Sequence, residues 1–281
     1  MNPTATEITT ALQKLHGGLL PPLMDQGINL LKELPARQPT LAQIVFASLG
    51  QRLFQLLHTI EQTVQDQPGD GYFTSAILTR NLMETASILL ILKRDKYGSS
   101  LDSFVRNAED ETTKSLNGIQ KMTSSSDPTI ANNAANESKI LSSAVQSLAL
   151  VRANAGLAPS PPKFPNMRER CEELGDVWLF MYYATYRELS QAVHMSFIKI
   201  PSTTSLALRS ENQGGALLYE HCRAVNYAVE FWGVTVLDLC DKHPDKQSVS
   251  SFTNGMAQLL HESERIATGF DKLKLSHQFM Y

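Results

Sequence analysis

In YYATYRELSQAVH, residues 182 to 194, Tyr183, Arg187, Ser190 and His194 recur at spacings of four, three and four. On a helix these spacings keep the four side chains within an arc of about 60°. Leu179, Tyr182, Tyr186, Leu189 and Val193 take the adjoining arc, so the polar line borders an apolar face where a groove can be lined. A histidine so placed can serve as a general base, an arginine can stabilise charge developing on a phosphate, and the hydroxyls can supply hydrogen bonds. A second pair, Arg80 and Glu84, lies one turn apart in ILTRNLMETASILLIL, with Phe73, Ile77 and Ile91 on the same side. Charges buried without partners cost several kcal/mol, so the two must pair with each other or with polar groups from another helix. The expectation is one cluster: His194, Arg187, Arg80 and Glu84 as catalytic candidates, and Tyr186, Ser190 and Tyr183 as substrate-binding candidates. The competing reading is a noncatalytic small-anion-binding or protein-interaction module in which the same residues are structural or hold the anion.

Apolar stretches of 3.6-residue period alternate with Gly, Pro and Ser punctuation, and strict two-residue alternation is almost absent, so the fold class is all-α. The chain reads as one helical domain over 1–281, a bundle of about 8 to 10 helices. A first helix is expected to end at His16-Gly17-Gly18, a second to run from Pro21-Pro22 to Leu34, and a third from after Thr40 to about Asp66. YFTSAILTRNLMETASILLILKRD, residues 72 to 95, is apolar on nearly every side and reads as the central helix. Residues 100–155 form a peripheral helical hairpin broken at SSSDP, and the proline-rich 156–166 is an extended connection. Asn166 caps a short helix to Gly175, Asp176 caps the helix of the polar line, and 197–215 is a loop before helices at about 216–242 and 246–274.

A formal charge of -3 disfavours strong nonspecific nucleic-acid binding while leaving room for a local basic groove. Cys171, Cys222 and Cys240 are odd in number and widely spaced, with no CxxC pair, which fits neither a disulfide framework nor a zinc knuckle and points to a reducing compartment. The N-terminus has no secretory pattern, and the apolar run at 86–92 is far shorter than the roughly 20 residues of a membrane span, so a cytoplasmic location without membrane contact is expected. HESER at 261–265 has Arg265 where a zincin helix needs its second histidine, and no Glu is followed by His three residues on. No metal or cofactor is implied, and phosphate-cradling glycine loops and nucleophile elbows are absent.

R-x-x-x-E in an apolar helix (Arg80, Glu84), followed about 100 residues later by Y-x-x-L-S-x-x-x-H (Tyr186, Leu189, Ser190, His194), resembles an uncharacterised helical family widespread in bacteria and known only as a domain of unknown function. That resemblance spans about residues 40 to 240 and implies a shared polar cluster with no assigned reaction. A second resemblance is to the HEPN superfamily, whose ribonucleases carry an arginine, four to six residues, then a histidine on a helix. Arg187 and His194 have six between them, while Glu188 stands where Asn, His or Asp is common. This likeness implies a HEPN-like bundle and a metal-independent endoribonuclease acting in defence or as a toxin. RNA is then the partner, with homodimer formation open and any small-molecule ligand unassigned.

Overall fold

A computed structural model describes residues 5–32, 40–66, 71–95, 98–158, 160–193 and 211–275. Within them the regular elements are helical: α1 (Ala5–Lys32), α2 (Leu41–Asp66), α3 (Tyr72–Arg94), α4 (Ser99–Met122), α5 (Pro128–Asn154), α6 (Met167–Leu174), α7 (Asp176–Met181), a π-helical turn (Tyr182–Tyr186), α8 (Arg187–Val193), α9 (Glu211–Leu239) and α10 (Lys246–Leu275).

The central helix is α3, as its apolar composition requires. It packs along α9 and α2 and is met by α6 and α8, and it buries Leu82, Met83, Ala86 and Leu89 to Leu92. Over its full 23 residues α3 is long and apolar enough to cross a membrane, which the short run at 86–92 did not reveal; two thirds of its most apolar window is buried inside this fold. Leu53, Leu57 and Ile60 of α2 and Val229, Trp232 and Val236 of α9 complete the middle of the core. Trp232 meets Phe54 and Phe252 edge-on at 5.7 and 5.3 Å. Gly27 lets α1 pass close to that indole: a Cβ there would lie 2.7 Å from the Trp232 ring.

Two boundaries differ from expectation. The N-terminal segment is one helix running through Gly17-Gly18 and Pro21-Pro22. A proline ring clashes with the carbonyl of the residue four before it; here those residues are the glycines, whose backbone has most room to adjust. Leu12, Leu20, Leu23 and Met24 are buried along α1, so packing on α10 and α2 holds it continuous. Likewise α9 begins at Glu211, so the expected loop at 197–215 is helical in its last five residues despite Gly214 and Gly215, and its earlier part lies outside the described residues.

The hairpin of α4 and α5 has the expected form. Asp127 accepts bonds from the backbone of Thr129 and Ile130, with Pro128 in the first turn, where its missing N–H is no loss. Its base is tied by Arg152 to Glu109 at 2.6 Å and by the Ala158 amide to Asp102 at 2.8 Å. Asn166 caps α6 in a reciprocal box with Glu169. Gly175, at φ 109°, makes the turn into α7, and Asp176 is the first residue of that helix rather than its cap.

A buried polar layer joins α1, α2, α3 and α9. His221 Nε2 lies 2.8 Å from Ser75 Oγ and 3.1 Å from Thr63 Oγ1. His16 is almost fully buried, and neither ring nitrogen meets a hydrogen-bond partner among the described residues. Burial lowers both imidazoles to about 4, His16 with a further contribution from His221.

Candidate functional site

The outward side of α3 carries Arg80 and Glu84. Their side chains are 25 % and 33 % exposed, and Ile77 one turn earlier is exposed, so the two charges are half-buried at the rim rather than inside the core. The helix turns its Ser, Ala and Leu positions inward and leaves this side to be covered in part by the segment after α7.

That segment is not one uninterrupted α-helix. Between α7 and α8 the chain widens into a π-turn, in which the Arg187 amide donates to the Tyr182 carbonyl five residues back. Such turns insert an extra residue into a helix and rotate the residues beyond it. Counting at 100° per residue therefore fails across Tyr182–Tyr186. Tyr186 swings to α3, while Tyr183 and Arg187 point outward, with the Arg187 guanidinium 6.0 Å from the centre of the Tyr183 ring. Tyr182 stacks on Tyr186 at 5.4 Å.

Three of the expected residues meet in a closed triangle. Arg80 Nε donates to Glu84 Oε1 at 3.2 Å and to the Tyr186 hydroxyl at 3.2 Å, and that hydroxyl donates to Glu84 Oε1 at 2.5 Å. The Arg80 guanidinium also lies 5.2 Å from the Tyr186 ring centre. Burial and the bond to Glu84 raise the Tyr186 phenol, which stays a donor at neutral pH. Burial alone would lower Arg80, but its bonds to Tyr186 and Glu84 outweigh that and hold it above its ordinary value. Ser190 is half-buried on α8, its Oγ without a hydrogen-bond partner among the described residues. His194 lies outside the described residues.

The residue after Arg187 has its own task. Glu188 receives Arg223 of α9 through both oxygens, at 3.2 and 3.1 Å, and Arg223 also donates to Tyr227 at 2.7 Å. With Leu189 buried against Tyr72, Ala76 and Ala224, this fastens α8 between α3 and α9.

Arg170 is a neighbour that the sequence did not single out. It is buried on α6, donating from Nε to Ser87 Oγ at 2.9 Å and from Nη1 to the Pro165 carbonyl at 2.7 Å. Burial lowers its guanidinium, and the charge of Glu84 opposes that shift. In MRERCEEL nothing separates Arg170 from the exposed Arg168 except the short-helix periodicity that places it beside the buried Cys171 and Leu174. Beyond α6, Val177, Phe180 and Tyr183 form an exposed apolar line; Phe180 is 71 % and Tyr183 46 % exposed.

The fold and site thus define an all-helical protein with an Arg–Glu–Tyr triangle at the rim of its central helix. The chain belongs to the family of unknown function DUF5677, whose profile matches residues 43–207 and so includes both halves of the triangle and His194. No curated protein and no solved structure matches the chain. None of these comparisons ties it to the HEPN superfamily, so that likeness rests on the Arg187 to His194 spacing alone.

Proposed function

We propose that the chain is an endoribonuclease that takes single-stranded RNA on the face formed by Phe180, Tyr183 and Arg187 and cuts it beside the Arg80–Glu84–Tyr186 triangle. The observation that carries this reading is the pair of exposed aromatic rings interleaved with an outward arginine next to a polar cluster. Exposed rings stack on bases of any sequence, each contact contributing about 1 to 3 kcal/mol, and a stacked arginine adds charge where the phosphates pass. Such binding needs no excess of basic residues over the whole chain, in keeping with a formal charge of -3.

In the reaction, His194 takes the proton of a ribose 2'-hydroxyl, the 2'-oxygen attacks the adjacent phosphorus, and the 5'-oxygen leaves and takes up a proton. Arg187 stabilises the charge gathering on the phosphoryl oxygens. Arg80 has its Nε committed to Glu84 and Tyr186, which makes it and Glu84 positioning residues that aim the Tyr186 hydroxyl. The products are a 2',3'-cyclic phosphate and a 5'-hydroxyl.

The closed bonding of the triangle favours one second reading: a noncatalytic module whose triangle is architectural or holds a small anion. Labelled single-stranded RNA incubated with purified protein, with and without EDTA, separates the two. Cleavage that survives EDTA and leaves cyclic phosphate is expected, with loss of activity in His194→Ala at unchanged helicity and a rate lowered by about two to three orders of magnitude in Arg187→Ala. RNA bound through Tyr183 and Phe180 but left intact selects the noncatalytic module. RNA neither bound nor cut removes the RNA reading.

A further inference from the structure

We propose that the cleft between α4 and the proline-rich connection after α5 is a binding site for a small phosphate monoester that also carries hydroxyl groups, of the size of a sugar phosphate. The proposal does not rest on the RNA reading. The cleft encloses about 320 Å³, at the small end of the range of ligand pockets. Ser103, Arg106, Asn107 and Asp110 of α4 line one wall. Their spacing of three, one and three keeps them on one side of the helix, over a length of about 10 Å at 1.5 Å per residue. The connection from Ser160 to Phe164 forms the other wall, and it is held at both ends. Before it, the Ala158 amide donates to Asp102 at 2.8 Å and Arg152 donates to the Ala158 carbonyl at 3.1 Å. After it, Arg170 donates to the Pro165 carbonyl at 2.7 Å. Phe164 is buried, edge-on to Phe104 at 5.3 Å and with the Arg170 guanidinium 5.6 Å from its ring centre. Pro161 and Pro162 each fix φ near -65°. A wall so held stands before any ligand arrives, so binding does not have to order it.

Donors and acceptors in the cleft select the ligand. The Lys163 ammonium, the Asn107 amide and the Ser160 hydroxyl meet no hydrogen-bond or ion-pair partner among the described residues. All three can donate to an oxyanion, Lys163 with a full charge. Arg106 is already committed, its Nε to Asp110 at 3.1 Å and its Nη1 to Glu109 at 3.3 Å, so it offsets the Asp110 carboxylate and leaves Lys163 as the cation for a ligand. The acceptors are that carboxylate and the buried Ser103 Oγ, which donates to the Ser99 carbonyl at 2.7 Å and keeps its lone pairs. A bare anion would use the donors and meet the Asp110 carboxylate unfavourably. A sugar phosphate uses both sets: its phosphate takes Lys163, Asn107 and Ser160, and its hydroxyls donate to Asp110 and Ser103. The three terminal oxygens of a phosphate monoester meet donors arriving from two walls better than the two of a carboxylate. Pro161 and Pro162 give the carbon face of the sugar ring an apolar surface.

The test is equilibrium dialysis of the full chain against radiolabelled ribose 5-phosphate, with inorganic phosphate and ribose as competitors. One saturable site is expected, and each competitor alone should bind at least about tenfold more weakly than the sugar phosphate, since each forfeits one set of hydrogen bonds. Lys163→Ala should weaken ribose 5-phosphate by about tenfold or more through loss of the charged donor. Asp110→Ala should narrow the preference for the sugar phosphate over inorganic phosphate. Absence of saturable binding, or equal affinity for ribose 5-phosphate and inorganic phosphate, overturns the proposal. Affinity lost in Arg187→Ala but kept in Lys163→Ala would move the ligand to the outer face of α8 and overturn it equally. If Asp110→Ala fails to fold, Lys163→Ala decides, because Lys163 is exposed and its side chain holds no other part of the chain among the described residues.

Discussion

Acidification from pH 7 to pH 5 should destabilise this protein through its buried histidines. In the folded chain His16 and His221 titrate at about 4, because burial disfavours the imidazolium; the ordinary value is 6.5. The folded state therefore binds fewer protons than the unfolded state between these values. Stability is full above about pH 6.5 and declines as pH falls toward 4. For one such histidine the linkage integral between pH 7 and pH 5 is about 2 kcal/mol. The two lie close enough to repel when charged, so their contributions are coupled rather than simply doubled. Glu61 and Glu230, which burial raises, act in the opposite direction, and the difference between wild type and a histidine variant cancels them. His16→Leu keeps an apolar side chain between the helices and removes one titrating group along with its repulsion of His221. Urea unfolding followed by circular dichroism at both pH values should show the variant losing about 2 kcal/mol less than wild type. A variant that loses as much stability as wild type would place the acid sensitivity elsewhere and refute the role assigned to His16.

At the site, Glu84→Ala should cost about 1 kcal/mol, since the triangle is half-exposed and solvent screens the charge left behind. Arg170→Ala should cost about 3 kcal/mol, because it strips bonds from a buried Ser87 hydroxyl and the Pro165 carbonyl and leaves a hole. Denaturant titrations that reverse this order would show that burial was assigned to the wrong arginine. Gly27→Ala should lower the melting temperature: the added methyl meets the buried Trp232 ring at 2.7 Å, and overpacking of about 1 to 3 kcal/mol outweighs the ~1 kcal/mol gained in helix propensity. An unchanged or raised melting temperature would mean that α1 can move away from Trp232 at little cost.

Periodicity by itself determined the all-helical class, the central place of α3 and the α4–α5 hairpin, because these follow from local rules. An all-round apolar helix must be surrounded, and SSSDP ends one helix and caps the next. The pairing of Arg80 with Glu84 was legible for the same reason, being a one-turn contact within a helix. Tertiary structure alone decided the rest. α1 continues through two glycines and two prolines since packing along its buried leucines outweighs the lost backbone bonds. The meeting of Tyr186 with Arg80 and Glu84 was expected from the sequence, but the π-turn at Tyr182–Tyr186 in a helix read as continuous was not: Tyr183 and Arg187 stay together on the outer surface while the Ser190 hydroxyl is buried. Arg170 and Arg168 look alike in the sequence, yet one is buried beside the triangle and the other is exposed. Which way a short helix turns its charges depends on the surface it docks against, and that surface is built by residues far away in the chain.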